Sequence, residues 1–484
     1  MAVTENIRKH FHDVYIDEAV VNVVTEDLNI ASRAASMADP EHHDAADQPV
    51  FHAPSFYPSP LVAALREHYV GRALKDVQAP AVVIDAAVAR RNCKLMLETT
   101  RKLGVGFRPH VKTHKTTELT KLQVGEDTQD VKLVASTVSE IEHLVPYLQA
   151  CKGEGRSINI IYGLPVSASS IPRLGAVVRQ LGEGSVSLFV DHKDHVALLD
   201  SVTNEAWPGK TPVFVKVDVG YHRAGVAVGS GQLADLAYAL NASQRVKVTG
   251  LYAHMGHSYA VSSPAEALKA FSGELQGLEE AAIEFLKCAG AVASKDPDAP
   301  KMVLSLGATP TTTSTQNILD DSEGTKEYRE LLERVNRSFE VELHAGVYAV
   351  LDMQQLATRA RPAQASSESA GSMLSFADLG LRTLVEVTSV YDDRGKPEAM
   401  MAAGSIVLGR EPCKSYDGWG VVSSWPEKQN QVYDPEAERT GWVVGRISQE
   451  HGVLTWEGSA DKIRRLQVGE KLMIYPNHAC MNGR

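Results

Sequence analysis

The chain has 484 residues, and its 49 Lys and Arg residues against 60 Asp and Glu residues give a formal net charge of -11 at pH 7. This acidic balance argues against a nucleic-acid partner, because proteins that bind phosphate backbones usually carry an excess of positive charge. No apolar run approaches a membrane span, and the first residues lack the basic start and apolar stretch of a signal peptide, so we expect a cytoplasmic protein with no membrane partner.

The first 75 residues are expected to form an N-terminal extension that is partly disordered. Their apolar residues show little periodicity, and their centre, ASMADPEHHDAADQPVF, is polar and acidic. From APAVVID onward, short apolar runs rich in β-branched residues alternate with amphipathic helical stretches, which is the pattern of parallel βα units. We therefore place a barrel domain at residues 76–362, with APAVVID as its lead-in strand.

Eight apolar runs follow the lead-in strand, and most of the segments that connect them have helical periodicity. The runs are VGFRPHVK, VKLVAST, INIIYGLP, VSLFVD, VFVKVDVG, VKVTGLYAHMG, MVLSLGA and FEVELHAG. Eight strands with helical crossovers predict an α/β fold, a (β/α)8 TIM-type barrel. The alternative is an open doubly wound sheet, which is less favoured because no G-x-G-x-x-G motif follows the first strand.

Residues 375–484 have a different pattern and predict a C-terminal β domain. No long helical stretch separates their apolar runs, and the predicted short strands are TLVEVTSVYD, SIVLG, GWVVGRIS, HGVLTW and EKLMIYP. A Ser- and Ala-rich connector, RPAQASSESAGSMLS, joins the two parts. The predicted architecture is therefore a barrel followed by a β domain.

The stretch RPHVKTHKT stands at the end of the first predicted barrel strand, where barrels of this class carry their chemistry. If the strand stays extended, alternation places Arg108, His110 and Lys112 toward the barrel interior and Lys115 on the opposite face. A lysine in that interior is costly as a bare cation, and the cost falls when the amine bonds covalently to a carbonyl group. Lys112 is therefore the candidate Schiff-base lysine for a carbonyl cofactor such as pyridoxal phosphate.

Three later strands end in residues that suit such a cofactor. After the seventh strand, Gly307 would let the backbone approach a phosphate and Thr309 supplies a hydroxyl. After the sixth strand, Tyr252 and Tyr259 could form an aromatic wall around a flat ring, or could pack at the barrel rim without a ligand. After the fifth strand, Arg223 could bind the cofactor, a substrate carboxylate or a structural ion-pair partner.

The chain ends in YPNHACMNGR, with His478 and Cys480 two residues apart on the last predicted strand. Side chains at that spacing lie on one face of a strand, and an imidazole and a thiolate are ligands that suit Zn²⁺. Two protein ligands would leave coordination positions for water or substrate, as catalytic sites require. The H-x-C spacing is also common by chance, so alone it is weak evidence for a metal site.

The chain resembles the zinc- and pyridoxal-phosphate-dependent D-serine dehydratases of the eukaryotic type in six motifs: RPHVKTHKT, KVDVGYHRAG, YAHMGHSY, SLGATPT, SQEHG and HAC. The resemblance runs from about residue 78 to the end and implies the alanine-racemase-like fold of pyridoxal enzymes. The implied enzyme is a homodimeric lyase that converts D-serine to pyruvate and ammonia by zinc-assisted β-elimination. The resemblance also implies site residues: Lys112 bonded to the cofactor, Tyr252, Tyr259, Gly307 and Thr309 in contact with it, and His478 and Cys480 on zinc.

Three other functions fit part of this pattern. A D-threonine aldolase would share the barrel, the lysine and the β domain, but we expect a harder, carboxylate-containing metal site there, and Cys480 favours zinc. A non-catalytic carrier of pyridoxal phosphate would need Lys112 and the phosphate turn but not residues 375–484. A metal-dependent barrel hydrolase would lack the visible absorbance of a lysine-bound pyridoxal, and its ligands would be His110, His114, His254 and His257.

Overall fold

The computed structural model describes residues 62–126, 128–290, 301–319, 325–361, 374–425 and 431–482. Most of the predicted N-terminal extension and most of the Ser- and Ala-rich connector therefore lie outside the described residues. Within these ranges, no helix combines the length and the apolar character that crossing a bilayer requires.

The first part of the chain alternates helices with short strands. In order, it contains α1 (Val62–Tyr69), β1 (Ala81–Ile84), α2 (Ala86–Leu103), β2 (Gly106–Pro109), α3 (Thr117–Val124), β3 (Asp130–Ala135), α4 (Val138–Gly153), β4 (Ser157–Pro165), α5 (Ile171–Leu181), β5 (Val186–Val190), α6 (Lys193–Asp200), β6 (Thr211–Asp218), β7 (Val226–Ala227), α7 (Gly231–Ala242), β8 (Val246–Tyr252), α8 (Pro264–Cys288), β9 (Val303–Leu306), α9 (Thr309–Ser314), α10 (Lys326–Ser338), β10 (Glu340–Ala345) and α11 (Met353–Thr358).

Eight parallel strands form a barrel in the order β2-β10-β9-β8-β6-β5-β4-β3. A parallel bridge between His110, just after β2, and Val134 of β3 brings the two end strands together. The eight runs predicted from the sequence are these eight strands, so the TIM-type barrel is confirmed and the open doubly wound sheet is wrong. Helices cover the outside of the barrel, which explains why all five residues of β5 are buried.

Local signals in the sequence set the ends of the helices. Helix α2 begins after Asp85, whose carboxylate accepts the amides of Ala87 and Val88, and it ends at Gly104 in the left-handed conformation. Helix α8 begins with Pro264 after Ser263, whose hydroxyl accepts the amide of Glu266. These caps fix where each helix leaves the barrel rim.

The last part of the chain forms an antiparallel barrel. Its elements are β11 (Leu381–Tyr391), β12 (Glu398–Met401), α12 (Ser405–Leu408), β13 (Gly420–Val422), β14 (Gly441–Ile447), β15 (Gly452–Glu457) and β16 (Lys471–Pro476). Pairing runs β11-β12-β15-β14-β13-β16 and returns from β16 to β11, so six strands close on themselves. The indole rings of Trp442 and Trp456 meet edge to face in its core, with ring centroids 5.6 Å apart.

Two details of the sequence prediction are wrong in this region. The SIVLG run is the short helix α12 rather than a strand, because periodicity cannot distinguish the two in an apolar run of five residues. The lead-in strand β1, which we placed with the parallel barrel, pairs antiparallel with β11 of the C-terminal barrel, with Ala81 opposite Leu384. An apolar run predicts a strand but does not specify its partner. The domain limits as a whole stay a prediction.

Candidate active site

Lys112 lies in a tight 3-10 turn, Val111–Thr113, that follows β2 at the carboxyl end of the parallel barrel. The alternation predicted from an extended strand is wrong beyond Pro109, because the Nδ1 atom of His110 accepts the Lys112 amide at 3.3 Å and closes the turn. Lys115, two residues after the turn, has a positive φ of 57° and therefore a left-handed backbone conformation. The Lys112 side chain is half-buried at the mouth of the barrel.

Arg108 points into the barrel, as predicted, and is 2% exposed. Its Nε donates to Oε1 of Glu342 at 2.6 Å, and its Nη1 donates to the side-chain oxygen of Asn159 at 2.9 Å. Burial would raise the pKa of the Glu342 carboxyl, but the charges of Arg108 and Lys132 outweigh it and keep that pKa below the usual value. The guanidinium is therefore committed to a structural ion pair inside the barrel.

Neutral histidines surround Lys112. Burial, followed by the positive charge of Lys112, holds the pKa of His110 and His254 well below the usual value. The Nδ1 atom of His254 lies 2.8 Å from the carbonyl oxygen of Gly307, so Nδ1 carries the proton and donates it. In a neutral ring the Nε2 atom of His254 then carries a lone pair that can accept a proton.

Tyr252 ends β8 and is 4% exposed. Its ring stacks on His344 with centroids 4.0 Å apart and an interplanar angle of 7°, and it also contacts Phe189. Burial raises the pKa of the Tyr252 phenol.

Lys216 lies above the Tyr252 ring with its Nζ 5.8 Å from the ring centroid, and burial lowers the pKa of its amine to about 8. We predicted neither His344 nor Lys216, because both lie inside runs that indicate only strands.

Gly307 follows β9 with a φ of 143°, and a Cβ atom there would lie 2.3 Å from the carbonyl oxygen of His344. The close approach of β10 therefore requires this glycine. Its amide donates to Glu274 at 3.1 Å. Thr309, at the start of α9, is 3% exposed, and its side chain is hydrogen bonded to Tyr259. Contact of Gly307 and Thr309 with a phosphate stays a prediction.

His478 and Cys480 do not share a strand, and this part of the sequence prediction is wrong. Strand β16 ends at Pro476, and the chain then turns in a 3-10 helix, Ala479–Met481. Asp352, which is fully buried, causes the turn because its Oδ2 accepts the amide of Ala479 at 2.9 Å. The turn still brings the two side chains together, and the Nδ1 atom of His478 lies 3.4 Å from Oδ2 of Asp352.

Cys480 contacts the turn that carries Lys112. Its Sγ lies 3.0 Å from the hydroxyl oxygen of Thr113, the residue after Lys112. Burial would raise the pKa of the Cys480 thiol, but His478, Lys112 and Thr113 outweigh it and lower that pKa. Burial likewise opposes charge on His478, yet Asp352 and Cys480 raise its pKa to about 10. The C-terminal turn therefore places a thiol with a lowered pKa at the mouth of the parallel barrel.

The donor set at this turn suits a zinc ion. The Nδ1 atom of His478 is buried and lies 3.4 Å from Oδ2 of Asp352 without a well-directed hydrogen bond, and the pKa of the neighbouring Cys480 thiol is lowered. Across the described ranges, no group of three or more His, Cys, Asp or Glu side chains is arranged to hold a metal. Zinc on this pair would therefore need additional ligands such as water or substrate.

Arg223 and Tyr259 are the two remaining residues predicted for this site. Arg223 is exposed, and its guanidinium lies 5.2 Å from the ring centroid of Tyr221. Its positive charge contributes to the low pKa of His254. Tyr259 connects the threonine turn (residues 307–311) to the C-terminal turn (Ala479–Met481). Its side chain is hydrogen bonded to Thr309, and its ring centroid lies 5.9 Å from that of His478. Every site residue predicted from the sequence thus lies at this mouth or on its rim.

Comparison with known proteins agrees with this arrangement. Residues 84–314 match the family described as alanine racemase, N-terminal domain, and residues 380–484 match the serine dehydratase domain family. The D-serine dehydratase of Schizosaccharomyces pombe is 33% identical over 88% of this chain and 91% of its own length. That of Saccharomyces cerevisiae is 31% identical over 85% of this chain and 92% of its own length.

A solved structure agrees at the level of fold. D-threo-3-hydroxyaspartate dehydratase from Delftia sp. HT23 superposes with a TM-score of 0.62 at 24% identity, over 84% of this chain and 92% of that one. At this identity the match shows a shared architecture, a parallel barrel followed by an antiparallel one. Together with the identity to the yeast proteins over nearly their full length, these findings show that the chain belongs to the D-serine dehydratase family.

Proposed function

We propose that the protein is a pyridoxal-phosphate- and zinc-dependent D-serine dehydratase, which converts D-serine to pyruvate and ammonium. The observation that carries the proposal is the 3.0 Å contact between Thr113 and Cys480. It places the turn that holds Lys112 against the turn that holds His478 and Cys480. An amine and a metal-binding pair can therefore act on adjacent carbon atoms of one small amino acid.

The residues at the mouth fit the two groups. Lys112 would hold the carbonyl carbon of pyridoxal phosphate, Tyr252 would contribute an aromatic ring, and the hydroxyls of Tyr259 and Thr309 would be available to the phosphate. His478 and Cys480 would hold zinc. When bound, the cofactor supplies an electron-withdrawing ring that acidifies the Cα proton of an amino acid. Zinc, when bound, supplies a Lewis acid for the departing β-hydroxyl.

The chain's own groups handle the proton. The Cα proton of D-serine would move to Nζ of Lys112 or to the lone pair on Nε2 of His254, since Nδ1 of His254 is already engaged with Gly307. Arg223 at the rim would orient the substrate carboxylate. The net reaction removes a proton from Cα and hydroxide from Cβ, and hydrolysis of the resulting enamine returns one water and gives pyruvate and ammonium.

The test compares Lys112→Ala with Lys115→Ala. We expect Lys112→Ala to lose both the visible absorbance of bound pyridoxal phosphate and pyruvate formation from D-serine, while far-ultraviolet circular dichroism stays unchanged. Lys115→Ala serves as the control, because Lys115 lies outside the Val111–Thr113 turn and has a left-handed backbone conformation. A borohydride-reducible adduct that persists at another lysine in Lys112→Ala would refute the assignment.

Two further features belong to this proposal. We also propose that the enzyme is a homodimer, as the family resemblance implies, and that it is cytoplasmic, and sedimentation velocity tests the dimer. Cleavage of D-threonine that outruns pyruvate release from D-serine would instead favour an aldolase. The Cys480 side chain argues for the dehydratase, because a soft sulfur donor suits zinc.

A further inference from the structure

Helix α8 carries a carboxylate that none of the motifs includes. Glu274 lies in the middle of this helix, and its side chain is 0% exposed. Removing a carboxylate from water costs several kcal/mol unless hydrogen-bond donors compensate it. The contacts that compensate Glu274 are therefore informative about its role.

The three donors to Glu274 come from the segments that follow two strands at the mouth of the parallel barrel. Its Oε1 accepts the amide of Met255 at 2.9 Å and the amide of Gly307 at 3.1 Å. Its Oε2 accepts the hydroxyl of Thr311 at 3.1 Å. Met255 follows β8, whereas Gly307 and Thr311 follow β9. One side chain thus joins the loops after the sixth and seventh barrel strands.

These contacts lie directly beside the His254 imidazole in the chain and at its hydrogen-bond acceptor. His254 is the residue before Met255, and its Nδ1 donates to the carbonyl oxygen of Gly307 at 2.8 Å. Glu274 therefore accepts the amide of Met255, which follows the donor residue of this hydrogen bond, and the amide of Gly307, which is the acceptor residue. The same carboxylate, through Thr311, fixes the start of α9, where Thr309 meets Tyr259.

A second carboxylate on α8 shows that these contacts are not a general property of the helix. Glu279, which is 9% exposed, forms an ion pair with Arg334 of α10 at 2.5 and 2.7 Å. That pair joins two helices on the outside of the barrel, whereas the hydrogen bonds of Glu274 go to the segments at the barrel mouth.

We propose that Glu274 is a positioning residue that fixes the His254 imidazole and the turn from Gly307 to Thr311 in the geometry in which this turn takes the phosphate of pyridoxal phosphate. The inference rests on the proposed function. Glu274 acts through its loops, because its two oxygens are engaged by the three protein donors. Loss of the carboxylate would leave two buried amides without acceptors, which destabilises their local geometry.

The test measures the affinity of the cofactor-free protein for pyridoxal phosphate and for pyridoxal, which lacks the phosphate. We expect Glu274→Ala to weaken pyridoxal phosphate binding at least ~10-fold and to change pyridoxal binding by less than about threefold. Glu274→Gln should restore pyridoxal phosphate affinity to within about threefold, since its amide oxygen can still accept both backbone amides. Glu279→Ala should leave the ratio of the two affinities unchanged.

The outcomes separate the possible failures. If Glu274→Ala does not fold, Glu274→Asp keeps the charge but withdraws the carboxylate from the loops, and it should show the same selective loss. Equal losses for both ligands, or no loss, in Glu274→Ala or Glu274→Asp would overturn this inference alone. Failure of the wild-type protein to bind pyridoxal phosphate would overturn the proposed function and this inference with it.

Discussion

The parallel barrel and the C-terminal barrel bury their apolar residues in different ways. In the parallel barrel, β5 is buried at every position because helices cover its outer face and side chains fill its interior. In the C-terminal barrel, β15 alternates between buried and half-buried residues, since one face of the strand meets the core and the other remains partly accessible. A polar group on a strand buried on both faces has no water to pair with, so leaving it unpaired is costly.

The chemistry follows the same division. Lys112, His254 and the threonine turn stand where strands of the parallel barrel end, whereas His478 and Cys480 come from one turn after the last strand of the C-terminal barrel. The contact between Thr113 and Cys480 joins the two sets. We infer that the parallel barrel provides the cofactor site and that a turn of the antiparallel barrel adds two candidate metal ligands to it.

The largest stability effect is expected from the buried ion pair inside the parallel barrel. Glu342→Ala would leave the guanidinium of Arg108 buried without a counter-charge, and we expect a loss of about 3–5 kcal/mol in the free energy of unfolding. The matched variant in the other barrel is Arg446→Ala, which breaks an exposed pair with Glu398 and should cost about 0–1 kcal/mol. Chemical denaturation measures both, and equal costs would contradict the difference drawn between the barrels.

A smaller effect concerns the pH dependence of stability. Burial raises the pKa of Glu274 from its usual value near 4.5 to about 7, although the hydrogen bonds from Gly307, Thr311 and Met255 and then the charge of Lys216 oppose the shift. A carboxyl with a raised pKa in the folded state stabilises the fold at low pH, and this stabilisation is lost as the pH rises through about 7. Between about pH 5 and 8, the wild type should therefore lose stability relative to Glu274→Gln, on the order of 2 kcal/mol.

Urea denaturation at several pH values checks this expectation. The control is Glu438→Gln in the C-terminal barrel, where hydrogen bonds to Lys462 and Gln431 lower the pKa of an exposed carboxyl. That carboxyl is ionised over the whole range, so its replacement should give a constant offset from the wild type. Parallel curves for wild type and Glu274→Gln would show that Glu274 does not titrate near neutral pH.

The sequence was sufficient for the eight strands of the parallel barrel and for the residues at its mouth, because burial on both faces produces apolar runs that are easily recognised. It was insufficient where a tertiary contact decides the local conformation. Lys112 and Cys480 both lie in 3-10 turns rather than strands, since His110 and Asp352 accept backbone amides there. Glu274 could not be identified at all, because one glutamate in an amphipathic helix does not differ in pattern from its solvated neighbours.

The central claim is that the parallel barrel holds the cofactor and that the C-terminal turn supplies the protein ligands for zinc. The most direct test treats the holoenzyme with a strong chelator and records visible absorbance, far-ultraviolet circular dichroism and pyruvate formation from D-serine. We expect pyruvate formation to be lost and restored by added zinc, with both spectra unchanged throughout, because Lys112 and the threonine turn belong to the other barrel. Full activity in the presence of the chelator, or loss of the cofactor's absorbance together with the metal, would contradict the claim.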